Sequence, residues 1–121
     1  EIWELVHAGI WMRVANGEVL INEGDSGASF YFLAKGQVKV SKSVRMLNLV
    51  GESECFGEMA YISGGKMPRH ATVEALSDVI LAEFEPARLA TMSLSAQLHL
   101  TRALVHNLTE RLQLANNRML A

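Results

Sequence analysis

The stretch at residues 56–73 reads FGEMAYISGGKMPRHATV and is the most informative part of the chain. Phe56, Gly57 and Glu58 predict a glycine turn that leads into one or two turns of helix, and Arg69 precedes an alternating run that predicts a strand. A helix start offers unpaired backbone N–H groups and the positive end of a dipole, which suit an anion. An arginine adds a planar fork of donors that suits phosphate or carboxylate. The stretch therefore predicts an anion site.

Glu58 does not fit a simple anion site, because a carboxylate repels an anion unless it meets a donor of its own. A ligand with an anionic phosphate at one point and a hydroxyl a few ångströms away would use both Glu58 and Arg69. A ribose cyclic phosphate has this chemistry. The two charged residues thus favour a cyclic nucleotide as the ligand.

At these residues the chain resembles the cyclic nucleotide-binding domain family, which includes kinase regulatory subunits, catabolite activator proteins and nucleotide-gated channels. The family's phosphate-binding cassette is similar to Phe-Gly-Glu-(Leu/Met)-Ala, a variable loop, and Pro-Arg-x-Ala-(Thr/Ser)-Val. The matching residues here are Phe56, Gly57, Glu58, Met59, Ala60, Pro68, Arg69, Ala71, Thr72 and Val73. A second similarity is the Gly-Glu-x-Leu run that begins at Gly17, followed by the Glu-Gly-Asp turn that begins at Glu23.

Short apolar runs separated by glycine turns predict a β-barrel or sandwich for most of the chain. The Asn16-Gly17 pair predicts a hairpin, and Pro86 predicts a helix start. The expected strands lie at residues 18–22, 29–34, 38–42, 45–50, 70–75 and 79–84, and the expected helices at 1–7, 86–93 and about 95–118. The family resemblance implies a mainly β fold with flanking helices: an antiparallel β-roll or jelly-roll barrel, a short helix in the cassette and a C-terminal helix pair. One domain over residues 1–121 is expected, with the β-roll at about 11–84 and the C-terminal helices at about 86–118.

The composition describes an ordinary globular domain: 121 residues, 50% apolar and 20% charged, with a formal charge of −2. This charge gives no general attraction to nucleic acid or to a membrane surface, and no apolar run approaches membrane-spanning length. The single cysteine, Cys55, favours a reducing, cytoplasmic setting and excludes an internal disulfide. The four histidines form no cluster with carboxylates in the sequence, so no metal site is expected. Because the chain begins at Glu1, we expect it to be a segment that works with a fused or associated effector domain.

The resemblance implies a role for each charged member of the cassette. Glu58 would accept a hydrogen bond from a ribose hydroxyl, while Arg69 and the backbone N–H groups near residues 57–60 would meet the phosphate oxygens. The candidate ligand-binding residues are Val40, Val50, Phe56, Gly57, Glu58, Met59, Ala60, Arg69, His70 and Ala71. The apolar members are ordinary core residues as well, and a base pocket inside a barrel is built from core residues.

His70 follows the arginine, where the family usually has alanine, serine or threonine. A hydroxyl at that position is associated in the family with guanine cyclic nucleotides, so His70 leaves the purine preference open at this position. The imidazole can donate a hydrogen bond to phosphate or base, or crowd the base. Cyclic AMP is expected over cyclic GMP. The loop at residues 63–67 is longer than the common family form, and the turn before Phe56 has Ser53 where a second glycine is frequent. These departures leave both charged anchors in place.

The sequence thus predicts a regulatory module that binds a cyclic nucleotide, needs no cofactor, and is not an enzyme. Occupancy would be transmitted through the C-terminal helices, with Leu108, Arg111 and Leu112 as candidate lid residues and a homodimer through the last helix as a further expectation. No partnership with nucleic acid or membrane is expected for this segment. The alternatives are a degenerate member that serves protein interaction, the sensor half of a transcription regulator, and a cupin-like enzyme, which would need metal ligands that the sequence does not cluster.

Overall fold

The structure, a computed structural model, describes residues 2–43 and 45–120, with the side chains of residue 2 and residues 115–120 left out of the description. The helices are α1 (Ile2–Ala8), α2 (Glu58–Ile62), α3 (Pro86–Leu89) and α4 (Leu94–Leu120). The strands are β1 (Ile10–Val14), β2 (Val19–Ile21), β3 (Phe30–Lys35), β4 (Val38–Lys42), β5 (Arg45–Val50), β6 (Cys55–Phe56), β7 (Thr72–Ala75) and β8 (Val79–Phe84).

The strands form two antiparallel sheets that face each other. One sheet has the order β1-β8-β3-β6, and the other has the order β2-β7-β4-β5. Inward side chains of both sheets meet in one apolar core, which includes Leu33, Val38, Val50 and Leu81, all fully buried. The predicted fold class, mainly β and antiparallel with flanking helices, is confirmed.

Strand β3 is buried on both faces, as its aromatic and apolar sequence predicted. Leu33 and Tyr31 pack into the core between the sheets, whereas Phe30 and Phe32 belong to a second cluster on the outer face. That second cluster also takes in Leu100 of α4. Successive side chains of β3 point to opposite faces of the sheet, so this one strand packs both into the barrel core and against the long helix α4.

The predicted hairpin at Asn16-Gly17 is wrong. A turn does form there, with Gly17 at φ +89°, but β1 pairs with β8 while β2 pairs with β7. The turn therefore carries the chain from one sheet to the other. Glycine and asparagine specify the backbone bend, whereas the choice of strand partner depends on residues about sixty positions away.

Helix α3 ends at Leu89, four residues earlier than expected, and α4 starts at Leu94. The Glu4 carboxylate of α1 accepts hydrogen bonds from the backbone N–H (3.0 Å) and the hydroxyl (2.9 Å) of Ser93. These bonds lower the pKa of Glu4. The Ser93 hydroxyl oxygen in turn accepts a hydrogen bond from the backbone N–H of Ala96. Ser93 therefore caps the start of α4 and is not the end of α3.

Apolar residues at three- and four-residue spacings predict a stripe along one face of α4: Leu98, Leu104, Val105, Leu108, Leu112 and Ala115. Leu104 is buried, whereas the other members whose side chains are described are exposed or half-buried: Leu98 (52%), Val105 (56%), Leu112 (62%) and Leu108. The buried face of α4 also includes Ala96 and Leu100, which lie outside the predicted stripe. Ala115 was also assigned to the stripe, and its side chain lies outside the described residues. No helix in residues 2–43 and 45–120 combines the length and apolarity needed to span a membrane.

Candidate functional site

A cavity of about 180 Å³ opens between the second sheet, the cassette and the far part of α4. Nine of the ten predicted ligand-binding residues line it: Val40, Phe56, Gly57, Glu58, Met59, Ala60, Arg69, His70 and Ala71. The tenth, Val50, does not line it but is fully buried in the core between the sheets. Val50 faces the core between the sheets further along β5 and is not part of the wall of this cavity.

Arg69 is buried, with 8% of the residue exposed, and its guanidinium is held by backbone oxygens. Nη1 donates to the carbonyl of Gly57 (3.2 Å) and Nη2 donates to the carbonyl of Ser29 (2.9 Å). In the described part of the chain no carboxylate forms an ion pair with it. The positive charge is thus held at the cavity wall, and no anionic side chain among the described residues neutralises it.

The backbone of Arg69 is fixed by the turn at residues 23–27. Its N–H donates to the carbonyl of Asp25 (2.7 Å), and its carbonyl accepts from the N–H of Gly24 (2.8 Å). Strand β7 begins only at Thr72, two residues later than predicted, because residues 69–71 follow this turn instead of a neighbouring strand. The turn that resembles the family's Glu-Gly-Asp motif therefore positions the arginine.

Gly57 allows the close approach of Arg69 to the cassette. It precedes α2 with φ +78° and ψ 6°, in the left-handed region that favours glycine. A Cβ at this position would lie 3.1 Å from Nη1 of Arg69 and 3.4 Å from the carbonyl oxygen of Ser29. Any larger residue would therefore force the guanidinium away from the carbonyls that hold it.

Glu58 is the more deeply buried charge, with 3% of the residue exposed, and it meets Arg111 of helix α4. Nη1 of Arg111 donates to Oε1 of Glu58 at 2.7 Å, and Nη2 of Arg111 donates to the carbonyl of Cys55. The second carboxylate oxygen of Glu58, Oε2, is buried and has no hydrogen-bond partner among the described residues. The carboxylate thus keeps one acceptor for a further donor.

The three predicted lid residues differ in their surroundings. Arg111 lines the cavity, Leu108 lies one turn before it and is half-buried without lining the cavity, and Leu112 is exposed. An arginine and a leucine at neighbouring positions of a helix face different directions, so only one of them can face the cassette.

The remaining walls come from β2, β4, β5, β7 and the cassette loop. The cavity is also lined by residues outside the predicted ligand-binding set: Ile21, Leu47, Asn48, Met67, Pro68 and Val73. Asn48 had a detectable signal, because it is a polar residue in the predicted strand at 45–50, two positions before the apolar Val50. The others carry no signal that separates a cavity wall from ordinary core.

His70 and Ala71 both line the cavity but differ in solvent exposure. Ala71 is buried, whereas His70 is exposed at the mouth together with Met59 and Met67. The imidazole therefore lies at the rim of the cavity.

Cys55 lies under α4 in a second cavity that is mostly apolar. Burial, together with the nearby Glu58 carboxylate, raises the pKa of the thiol to about 11. A thiol with such a pKa is almost entirely protonated at neutral pH and is a poor nucleophile. Residues 2–43 and 45–120 contain no group of three or more histidine, cysteine, aspartate or glutamate side chains arranged to hold a metal ion.

The chain is similar to a family model and to several known proteins. The family model described as "Cyclic nucleotide-binding domain" matches residues 11–95. A cAMP-dependent protein kinase regulatory subunit of Debaryomyces hansenii is 40% identical over 67 residues, which cover 54% of this chain and 14% of that protein. The chain spans about a seventh of the length of the curated relatives it matches.

Two solved structures extend the comparison to three dimensions. A cyclic nucleotide-binding domain from Methylobacillus flagellatus superposes with a TM-score of 0.86 at 24% identity, covering 96% of this chain and 68% of that one, and shows the shared fold. The N-terminal domain of a transcriptional regulator from Streptomyces coelicolor A3(2) is 30% identical with a TM-score of 0.73, covering 96% of this chain and 84% of that one.

Proposed function

The chain belongs to the cyclic nucleotide-binding domain family, and from this membership we propose that it binds cyclic AMP and transmits the occupancy of its site through helix α4. The observation that carries the proposal is a pair of buried, opposite charges, Glu58 and Arg69, on the wall of one cavity. Buried charges are costly unless they meet a partner. A cyclic nucleotide brings a phosphate for the arginine and a hydroxyl for the carboxylate.

The phosphate is proposed to bind at Arg69. The guanidinium is held in place by the carbonyls of Gly57 and Ser29, so little side-chain entropy is lost when an anion arrives. Its charge has no protein counter-ion in the described part of the chain, so an anion gains the attraction in full. A charge-assisted hydrogen bond contributes roughly 1.5–3 kcal/mol.

The ribose is proposed to bind at Glu58. Oε1 is occupied by Arg111, which holds the carboxylate in one orientation, and Oε2 is the buried oxygen that lacks a partner in the described residues. A ribose 2′-hydroxyl that donates to Oε2 would complete the carboxylate without breaking the ion pair.

Cyclic AMP is proposed over cyclic GMP for two reasons. The Debaryomyces relative is named for its dependence on cyclic AMP. In the family that the chain resembles, a hydroxyl after the arginine accompanies guanine recognition, and this chain has the exposed imidazole of His70 there.

Transmission is proposed to run through the Arg111–Glu58 pair. The pair joins helix α4 to the cassette across 53 positions of sequence, inside the ligand cavity. A hydroxyl bound to Oε2 fixes Glu58 in the position where Oε1 meets Arg111, so the ligand favours the packing in which α4 is docked. In its absence the far part of α4 has fewer ties to the cassette and undocks more often.

The exposed stripe of α4 is proposed to pair with a second copy of the chain. Leu98, Val105 and Leu112 recur every seven residues, and the second heptad position holds Leu94, Thr101 and the half-buried Leu108, which is the spacing of a two-stranded coiled coil with one polar position. Replacement of Val105 by Lys is expected to convert a dimer to a monomer in sedimentation experiments. A wild-type chain that sediments as a monomer at high concentration would refute this pairing.

The family is a regulatory one, and we propose that this chain binds its ligand without transforming it and acts on a fused or associated effector domain in the cytoplasm, where a free thiol such as Cys55 persists. A second candidate role is the sensor of a transcription regulator, which the likeness to the Streptomyces coelicolor domain favours.

Calorimetric titration of the wild-type chain with cyclic AMP and cyclic GMP tests the proposal. We expect a micromolar dissociation constant for cyclic AMP, about −8 kcal/mol, and weaker binding of cyclic GMP. No heat with either nucleotide would refute the proposal and leave the degenerate, protein-interaction alternative. Tighter binding of cyclic GMP would refute the purine preference alone.

A further inference from the structure

Asn48 is a polar side chain on the inward, otherwise apolar wall of the second sheet. It stands opposite Val40 in the β4–β5 pair and two residues before the fully buried Val50, so it points to the same side of the strand as that valine. It is half-buried and lines the ligand cavity. A half-buried carboxamide on such a wall can present either an N–H donor or an oxygen acceptor to the cavity.

Only one end of the Asn48 carboxamide is satisfied. Oδ1 accepts a hydrogen bond from the backbone N–H of Leu49 at 2.9 Å, which fixes the oxygen against the strand. For the amide nitrogen, no acceptor is found in residues 2–43 and 45–120. The polar group that Asn48 can offer the cavity is therefore an N–H donor.

A β-bulge explains why Asn48 and its neighbour both reach the cavity. Val40 pairs with Asn48 and Ser41 pairs with Met46, so Leu47 is an extra residue on β5. In a regular strand Leu47 and Asn48 would point to opposite faces, yet both line the cavity. Bulges often re-aim side chains beside binding sites.

We propose that Asn48 reads the base of the bound nucleotide by donating its amide N–H to a ring nitrogen of the purine. The proposal rests on the function proposed above: if the cassette takes the sugar and the phosphate, the base extends to the remaining walls. The second sheet lines the cavity with Ile21, Val40, Leu47, Asn48 and Val73, and of these five Asn48 alone is polar. Adenine presents ring nitrogens as acceptors and its exocyclic amino group as a donor. An N–H donor can pair with the ring nitrogens and not with the amino group.

Cyclic AMP analogues in which N1, N3 or N7 is replaced by carbon test this assignment. We expect one of the three to bind the wild-type chain about 3- to 10-fold more weakly than cyclic AMP, the loss of one hydrogen bond. In the N48L variant, cyclic AMP and that same analogue are expected to bind with equal affinity. A calorimetric ratio of affinities is the readout, because a merely structural role of Asn48 would weaken every nucleotide alike.

Two further variants keep the test decisive. Asn48→Asp retains an acceptor for the Leu49 N–H but cannot donate, so it too is expected to lose the discrimination, even if Asn48→Leu folds poorly. Met46→Ala lies on the same strand, is exposed and does not line the cavity, so it should keep the wild-type ratios. The assignment is overturned if all three analogues bind the wild type as cyclic AMP does, or if the Asp and Leu variants keep the wild-type ratios. A wild type that binds no nucleotide would overturn the proposed function as well.

Discussion

Arg69 and Glu58 are both buried in the wall of one cavity, yet the protein satisfies them in different ways. Arg69 donates to two neutral carbonyls supplied by the turn region and the cassette of the β-roll itself. Glu58 pairs with a charged side chain from α4, a helix outside the β-roll. The positive end of the site is therefore built into the rigid fold and is open to an anion, whereas the negative end depends on where α4 lies.

This difference suits Arg69 to anchoring an anion and Glu58 to sensing the position of α4. An anion anchor needs a fixed position and an unneutralised charge, which carbonyl partners provide. A sensor element needs a partner that can leave, and an ion pair with a helix whose last described side chains are mostly exposed fits that need. Three substitutions separate these tasks.

Replacement of Arg69 by Ala is expected to have the largest effect, weakening cyclic AMP binding by about 100-fold or more. The phosphate would lie in the cavity without its counter-charge, at a cost of roughly 3–5 kcal/mol. Calorimetric titration measures the change, with Arg45→Ala, an exposed arginine on β5, as the matched control.

Because Arg69 also ties Gly57 to Ser29, a thermal melt should accompany the titration, and Arg69→Lys keeps the charge without the planar fork. Equal affinity in the wild type and the Ala variant would show that the anion binds elsewhere.

Replacement of Glu58 by Gln is expected to weaken cyclic AMP binding by about 10-fold, because a hydroxyl bonds less strongly to a neutral acceptor than to a carboxylate. The 2′-deoxy analogue of cyclic AMP has no hydroxyl to lose, so its affinity is expected to change little between the two proteins. An equal loss for both nucleotides would contradict the ribose assignment and indicate a structural role for Glu58.

Replacement of Arg111 by Ala is expected to have the smallest effect on affinity, about 3- to 10-fold, since the phosphate and its anchor are untouched and only the docking of α4 is weakened. We expect a larger effect at Cys55, the single cysteine of the chain. Arg111 donates a hydrogen bond to the backbone carbonyl of Cys55. The rate of modification by a thiol reagent reports how well α4 covers it.

Burial raises the pKa of Cys55 to about 11, so the reactive thiolate is scarce at pH 8. The rate is expected to rise about tenfold per pH unit up to that pKa. Cyclic AMP should slow the reaction in the wild type and in the control Arg102→Ala, an exposed arginine of α4. Because the Arg111 charge lowers the pKa of Cys55, the rates are compared at equal fractions of thiolate, and in Arg111→Ala the reaction should then be faster and insensitive to the nucleotide. Protection by cyclic AMP that persists without Arg111 would disprove transmission through this pair.

Sequence patterns predicted the local features of the fold well. Glycine at positions such as Gly57 and proline at Pro86 marked true turns and helix starts, because their backbone preferences act over a few residues. The two-residue strand β6 and the early end of α3 were not predicted, since one depends on pairing with β3 and the other on a carboxylate of α1.

The sequence by itself determined the cassette. The motif at residues 56–73 identified both charged site residues, Glu58 and Arg69, and the family resemblance. A local pattern could do this because each matched residue contributes through its own backbone conformation or its own charge. The tertiary structure decided which residues meet. It joined Glu58 to Arg111, brought Leu47 to the cavity beside Asn48 through a bulge, and separated the strands on either side of Asn16-Gly17 into different sheets. These outcomes depend on contacts between positions far apart in the chain, and pairings at such distances are set by the packing of the whole domain, which no local pattern encodes.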